Sequence, residues 1–577
     1  MRRVRRSIIC LALLAAPLVP VLAQEHPNVA KGFHPSASFA AGDVDNVNLF
    51  NGNLVLTIPL GPAYPVNSLS YGLTLVYNSQ IWEQQQYDTL VQSIPARTNN
   101  AGLGWMVSMG RFNPPEFLGD LDTFRDTYMG PDGARHAFYP TLHEGEAVTA
   151  GIEYSRDGSY LRYIAATRTV EFPDGTRRVF DTSGFLVQIN DRFGNQVNIC
   201  YTSSCGAPAD TWLITDTQNR QTKVVFRNVS VSSYQQQVVD RIDVNTFGGT
   251  PASYQFRYNI DDGQSVVLTG CQNSDPQTAN IPVAVLRSVT LPDGTAYAMP
   301  VGSYFGNTTS GLLCKAGMIN GMTLPTLGKI EWDYVNYQYP TDSTKRRYWQ
   351  NTAGVGARTL RDAASGLVGT WVYTTTLTTP SSGPARELVN TETDPLGNRV
   401  TRYFSVGAIF YDTVERLYEY ALPLSRDRTG DGTGRFLSSQ IFDSPGTQVR
   451  STYARYEHDQ PNLAGTLQDN SRLGQRMASQ RTSYLDDGST FADENFSDFD
   501  GLGHYRTRQT GGNFPGSNVR TSFTFYNPTG GTYGQSNFSM LPASSPWVLN
   551  MTSRKFHNYQ KGEDLRPKVK MINSSRG

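Results

Sequence analysis

The residues best spaced for chemistry lie in a few short clusters. Asp427-Arg428-Thr429-Gly430-Asp431-Gly432 sets carboxylates near a glycine. A calcium loop needs hard oxygen ligands at alternate positions and a sharp turn. Here Arg428 intrudes, and the twelfth position is Ser438, not a bidentate Glu. The segment therefore reads as a solvated turn. His143-Glu144-Gly145-Glu146 carries one histidine where a zinc-binding helix would need two, four residues apart, so it reads as a loop. Asp486, Asp487, Asp493, Glu494, Asp498 and Asp500 gather late in the chain. Two carboxyl groups flanking a sugar would make a glycosidase, but turn and surface roles suit these better. No GxSxG nucleophile elbow is present. The sequence assigns no catalytic residue, no metal ligand and no cofactor, and it reads as non-enzymatic.

Four cysteines remain beyond the first 23 residues: Cys200, Cys205, Cys271 and Cys314. None forms a CxxC pair, and the histidines lie elsewhere, so metal binding is disfavoured. An even number in an exported chain favours disulfides. Cys200 with Cys205 would staple a turn, and Cys271 with Cys314 would then close a longer loop. Three pairings stay open from sequence.

The elements that must position these residues read as strands throughout. Leu54, Leu56 and Ile58 alternate with other residues, as do Leu73, Leu75 and Tyr77, and later Phe185, Val187 and Ile189 followed by Val197, Ile199 and Tyr201. That is the period of a half-buried strand. No long stretch has helical period, although a short helix is possible around Val414–Leu422. Turns punctuate the strands. Pro-Asp-Gly recurs at Pro131–Gly133, at Pro173, Asp174 and Gly175, and at Pro292, Asp293 and Gly294. Related turns are Asp191 to Gly194 and Asn195, then Asp394, Pro395 and Gly397, then Asp500 to His504. Proline presets φ at one turn position and glycine supplies positive φ at another. Aromatic pairs such as Tyr403-Phe404 and Phe523 with Phe525 could stack on sugars or pack across strands.

Composition narrows the function classes. The 577 residues carry 50 basic and 50 acidic side chains, which argues against a polybasic nucleic-acid binder. Aromatics at 11% exclude a wholly disordered chain. Only nine of the basic residues are Lys, and four of these (Lys555, Lys561, Lys568 and Lys570) fall in the last 23 positions. Residues 1–23 join an Arg-rich start to an apolar stretch and a Val21-Leu22-Ala23 cleavage site, the pattern of an export signal. Its removal leaves 46 basic against 50 acidic residues. No later apolar run is long enough to span a membrane. The expected location is outside the cytoplasm: extracellular, at the cell surface, or in the periplasm.

Several motifs together resemble Rhs/YD-repeat proteins. The opening segment Asp45–Gly61 contains Asn51, Gly52 and Asn53. Leu75-Val76-Tyr77-Asn78-Ser79 is followed by Gly102-Leu103-Gly104-Trp105. Later come Gly321–Tyr334 and the strand–turn–strand unit at 179–201. The resemblance covers roughly residues 35–550. It implies an all-β fold: an amino-terminal β-domain followed by degenerate hairpin repeats that form a partial shell or curved ribbon. The implied organisation is a signal at 1–23, an amino-terminal β-domain at 24–140, repeats with disulfides at 141–340, further repeats at 341–552, and a divergent Lys-rich tail at 553–577. The family's core motif before a released effector has no match here, so no cleavage residue is assigned and the chain reads as the amino-terminal portion of such a protein. The implied function is an exported, non-catalytic shell or surface-interaction protein. The alternatives are a toxin-carrier fragment whose effector is missing, or a carbohydrate-binding surface protein. The implied partners are cell-surface glycans or another polypeptide, not nucleic acid.

Overall fold

The computed structural model describes residues 30–559 apart from 36, 88–89, 97–98, 114–125, 144–145, 232–233, 247–248, 270–279, 307–314, 340–350, 379–386, 407–433, 458–475, 517, 528–530 and 536–537. The signal segment, the calcium-like loop Asp427–Gly432, the possible helix at Val414–Leu422, and both Cys271 and Cys314 lie outside the described residues. So do residues 560–577 of the tail.

The expected all-β fold is what the chain adopts. Among the described residues, strands are joined by turns and short 3₁₀ segments, with no α-helix. Two sheets carry the architecture. The first is a five-stranded antiparallel sheet of Phe39–Ala41, Asp45–Asn48, Leu54–Val66, Leu69–Asn78 and Trp105–Val107. The second is a long antiparallel meander from Arg111–Phe112 to Met551–Tyr559. Each of its strands pairs with the next along the chain. The one departure is the hairpin Val266–Thr269/Asn280–Val283, which pairs only with itself and leaves Ala252–Tyr258 beside Leu286–Thr290. Sequential antiparallel pairing needs only local turns, so the alternation and turn chemistry of the sequence suffice to build it.

One core unites the two sheets. Buried residues run without interruption from Val47, Leu54, Ile58 and Tyr77 of the first sheet to Val224, Ile242, Ile330, Val355, Leu388 and Phe404 of the meander. This core crosses the boundaries expected at 140 and 340. Beyond Val406 the one described residue packed against this core is the partly buried Phe436. Arg476–Tyr484 and Thr490–Phe499 bury only Ser479, Arg481 and Phe499. Among the described residues no second layer lies behind these strands, and cross-strand pairs hold them.

The meander curls until residues 499–550 lie against the hairpins at 141–175. Trp547 donates its indole N–H to the Tyr160 carbonyl at 2.8 Å, and the Leu549 amide reaches the Pro173 carbonyl at 2.7 Å. Asp174 bridges Val548. A small separate core of Leu142, Ile152, Tyr154, Leu502, Trp547 and Leu549 fills this seam. The last ladder continues past Ser553 to Tyr559, pairing with Arg520–Asn527. The first part of the expected Lys-rich tail is thus a strand of the sheet.

Candidate functional site

The turns are built first, by local chemistry. In Asp191–Asn195 the Asp191 amide reaches the Asn195 carbonyl at 3.1 Å, and Gly194 takes φ 85°. The Asp191 carboxylate accepts from the Phe193 and Asn195 amides and from the Asn195 side chain. It also accepts from Ser68, and Asn195 accepts from Asn67, so this turn docks on the hairpin tip of the first sheet. Asp394 repeats the device, accepting from the Leu396 and Asn398 amides and the Asn398 side chain, with Gly397 at φ 88°. Burial opposes the charge on both carboxylates, but these donors outweigh it and hold both pKa values below the usual range.

The proline turns are a second version. Phe172 and Thr176 close around Pro173-Asp174-Gly175, and Leu291 and Thr295 around Pro292-Asp293-Gly294. Asp174 and Asp293 each accept from the amide two residues on. Sequence reading by tripeptide missed further members. Asp181, Asp216, Asp362 and Asp443 cap turns in the same way. In two of these, Asn219 and Ser365 take the positive-φ position that glycine fills elsewhere. The signal was Asp four residues before the turn's last residue.

The eight motif residues of the amino-terminal region converge where the two sheets meet. Asn51 accepts from the Asn53 amide and donates to the Ala30 carbonyl. Asn53 donates to Asn78 at 3.1 Å and accepts from Ser79 and from the Gln80 amide. Asn78 in turn accepts from the Gly32 amide and donates to the Asp132 carbonyl. Tyr77 accepts from the Ile319 amide at 2.9 Å. Trp105 donates to Tyr304, which donates to the Leu286 carbonyl. Gly52 (φ 69°) sits where a Cβ would lie 2.3 Å from the Gly354 Cα. Gly102 and Gly104 face Leu286 and the Tyr77 ring in the same manner. This is a buried amide network whose donors and acceptors go to one another and to backbone, a lock between layers.

Other polar clusters are spent likewise. Arg481 grips Asp493 with two bonds of 2.6 Å and lies 3.9 Å over the Phe491 ring. Glu494 pairs with Arg508, Asp498 with Thr507, Asp487 with Thr490, and Asp500 with His504. The late carboxylates therefore form cross-strand and turn contacts, not a facing pair. His143 bonds the Gly501 carbonyl at 2.7 Å and packs on Tyr533. Ser438, twelfth in the calcium-like segment, is buried in a strand between Tyr403 and Tyr453. Tyr403 bonds Gln440, Phe404 is buried against Phe50, and Phe523 and Phe525 are partly exposed.

The most unusual electrostatic group is a buried carboxylate between two imidazoles. Asp157 contacts His136 Nδ1 at 2.7 Å and His34 Nε2 at 3.5 Å, and accepts from the Ser159 amide. Burial opposes charge on His136, but Asp157 outweighs it and raises the histidine pKa. Burial also opposes charge on Asp157; His136 and His34 outweigh it and hold the carboxyl well below its usual range. The cluster ties residue 34 to the hairpins at 135–159. Cys200 and Cys205 are disulfide-bonded around a 3₁₀ turn. Among the described residues no group of three or more His, Cys, Asp or Glu is placed to hold a metal. Among the described residues no helix is long and apolar enough to cross a membrane.

No protein-family model matches the chain, and no curated protein matches it. Among solved structures it is similar to TcdB2-TccC3, at 9% identity over 95% of this chain and 49% of that one, with a TM-score of 0.48. The same complex without its hypervariable C-terminal region gives 9% identity, 94% and 47% coverage, and a TM-score of 0.47. The N-terminal domain of effector protein SpvB from Salmonella typhimurium strain LT2 gives 12% identity over 74% of this chain and 98% of that one, with a TM-score of 0.14. The chain thus spans about half the length of the TcdB2-TccC3 chains. Likeness of this degree assigns no function.

Proposed function

We propose that the chain is an exported, non-catalytic wall protein of the Rhs/YD-repeat type, acting by enclosing or presenting a surface to another molecule. The observation that carries the reading is the meander itself: strand after strand pairs in chain order, with no second layer behind 476–499 among the described residues, and the far end returns to the hairpins at 141–175. A wall of this kind offers area and curvature rather than a pocket. The side chains with catalytic potential support it, because their hydrogen-bonding capacity goes to turns and cross-strand pairs. Export rests on residues 1–23, and membership of the family rests on the motifs at 45–61, 75–105 and 321–334. Partners on this reading are a polypeptide or cell-surface glycans.

Fractionation of cells expressing the full chain tests the reading, together with turnover assays on ester, glycoside, peptide and phosphodiester substrates. Processed protein outside the cytoplasm with no turnover is the expected outcome. Unprocessed cytoplasmic protein, or turnover that follows the purified chain, contradicts it.

A further inference from the structure

The short turns of the meander share one rim. Its ladders from Thr169–Glu171 to Gln448–Glu457 are all antiparallel, so alternate connections fall on the same side. By that count the turns at 172–176, 191–195, 216–220, 291–295, 324–328, 362–366, 394–398 and 443–447 stand in one row. Contacts between neighbours agree. A Cβ on Gly175 would lie 3.5 Å from Arg192, one on Gly369 2.6 Å from Pro395, and one on Gly397 3.0 Å from Ser444. Lys329 donates to Ser365 at 3.0 Å.

The row carries apolar side chains that a solvated turn does not need. Phe193, Leu327, Leu367, Val368, Leu396 and Leu485 lie on it or beside it and are 40% to 77% exposed. Leu327 also takes φ 69°, a left-handed conformation that strains a leucine and that Asn219 fills at another turn of the row. The chain itself shows such turns covered. Val548 and Leu549 of the seam sit on the first turn of the row, Pro173-Asp174-Gly175. Leu502 stands two residues after Asp500, as Phe193 follows Asp191 and Leu396 follows Asp394, and it is buried in the seam core.

Area and charge select the cover. At roughly 200 Å² for a large side chain, the six present on the order of 700 Å², close to the about 800 Å² that one partner gives to a stable interface. Asp191, Asp362, Asp394 and Asp443 accept from amides of their own turns, so these carboxylates are folded inward. Two identical rims can therefore meet apolar tip to apolar tip. A twofold contact of this kind closes on itself.

We propose that this rim is the contact between two copies of the chain, joined turn row to turn row about a twofold axis. This goes beyond the wall reading, and neither export nor the absence of turnover bears on it.

The test is sedimentation velocity of the purified full chain over a dilution series. A species of twice the chain mass that dissociates on dilution is expected. Leu327→Asp combined with Leu396→Asp places charge at two tips and is expected to weaken the association at least about a hundredfold, with the far-UV circular dichroism of the wild type. Leu396→Asp alone, at the most exposed tip, gives the same readout where the double variant does not fold. Phe523→Asp, in mid-strand and away from the rim, is expected to leave the dimer intact. A wild-type chain that is monomeric at every concentration, including one that instead binds a different polypeptide, overturns the proposal. So does a dimer that survives the rim substitutions.

Discussion

Arg481 shows why this chain uses arginine so heavily. It spans from strand Arg476–Tyr484 to Asp493 with two parallel bonds and covers Phe491 with its flat face. Lysine can supply neither the fork nor the stacking plane. Arg399 over Phe442, Arg450 over Tyr484 and Arg358 over Trp371 are likewise direct cross-strand partners. Arg481→Lys is therefore expected to lose about 1–2 kcal/mol, read by urea denaturation; an unchanged midpoint would refute the stitching role. The arginine bias was legible in composition, but the partners were not, because each depends on strand register, which bulges such as that between Arg455 and Tyr456 shift in several of these pairs. The buried histidine cluster was also illegible, since His34, His136 and Asp157 are far apart in the chain. Its pH dependence follows from the signs. His136 has a raised pKa, so its contribution is full below the ordinary value of 6.5 and fades as pH rises through the folded value. Asp157 has a lowered one, so its share is full above 3.8 and fades as pH falls through the folded value. The melting-temperature gap between wild type and Asp157→Asn should be widest between those two ordinary values and narrow as pH rises through the raised value of His136. A gap that widens steadily with pH contradicts the assignment.

At the scale of elements, the hairpin turn is the unit that repeats. Its aspartate fixes the turn by occupying amides the turn would leave bare. Asp394→Ala removes three acceptor contacts and is expected to cost about 1 kcal/mol, measured by chemical denaturation. Restoration of wild-type stability in Asp394→Asn is not expected, because Asn offers one acceptor oxygen where the carboxylate offers two. The disulfide is a lesser device. Cys200 and Cys205 close so short a loop that loss through Cys205→Ser should cost about 2 kcal/mol on the chain-entropy account. The ladder between Gln196–Cys200 and Thr211–Asp216 should survive it, as judged by far-UV circular dichroism. Strand alternation and glycine turns were readable in sequence; the turns that use Asn219 or Ser365 were not, because neither residue announces a positive φ.

At the scale of the molecule, two regimes meet. Up to Phe404 the meander is backed by the amino-terminal sheet, and the interlock at Gly52 allows no side chain. Gly52→Ala should cost more than about 3 kcal/mol or prevent folding, because the new Cβ meets the backbone of Gly354. Among the described residues, strands 476–499 have no second layer, and the seam at 499–550 ties the far end to the hairpins at 141–175. The sequence could suggest a ribbon but not its return, since Trp547 and Tyr160 are brought together only by accumulated curvature. The most direct test of the wall account is electron cryo-microscopy of the purified full chain. The account predicts one continuous antiparallel sheet, backed by the amino-terminal sheet as far as Phe404, with residues 541–550 lying on the hairpins at 141–175. Separate compact lobes divided near residue 140 or 340, or a second layer behind strands 476–499, would contradict it.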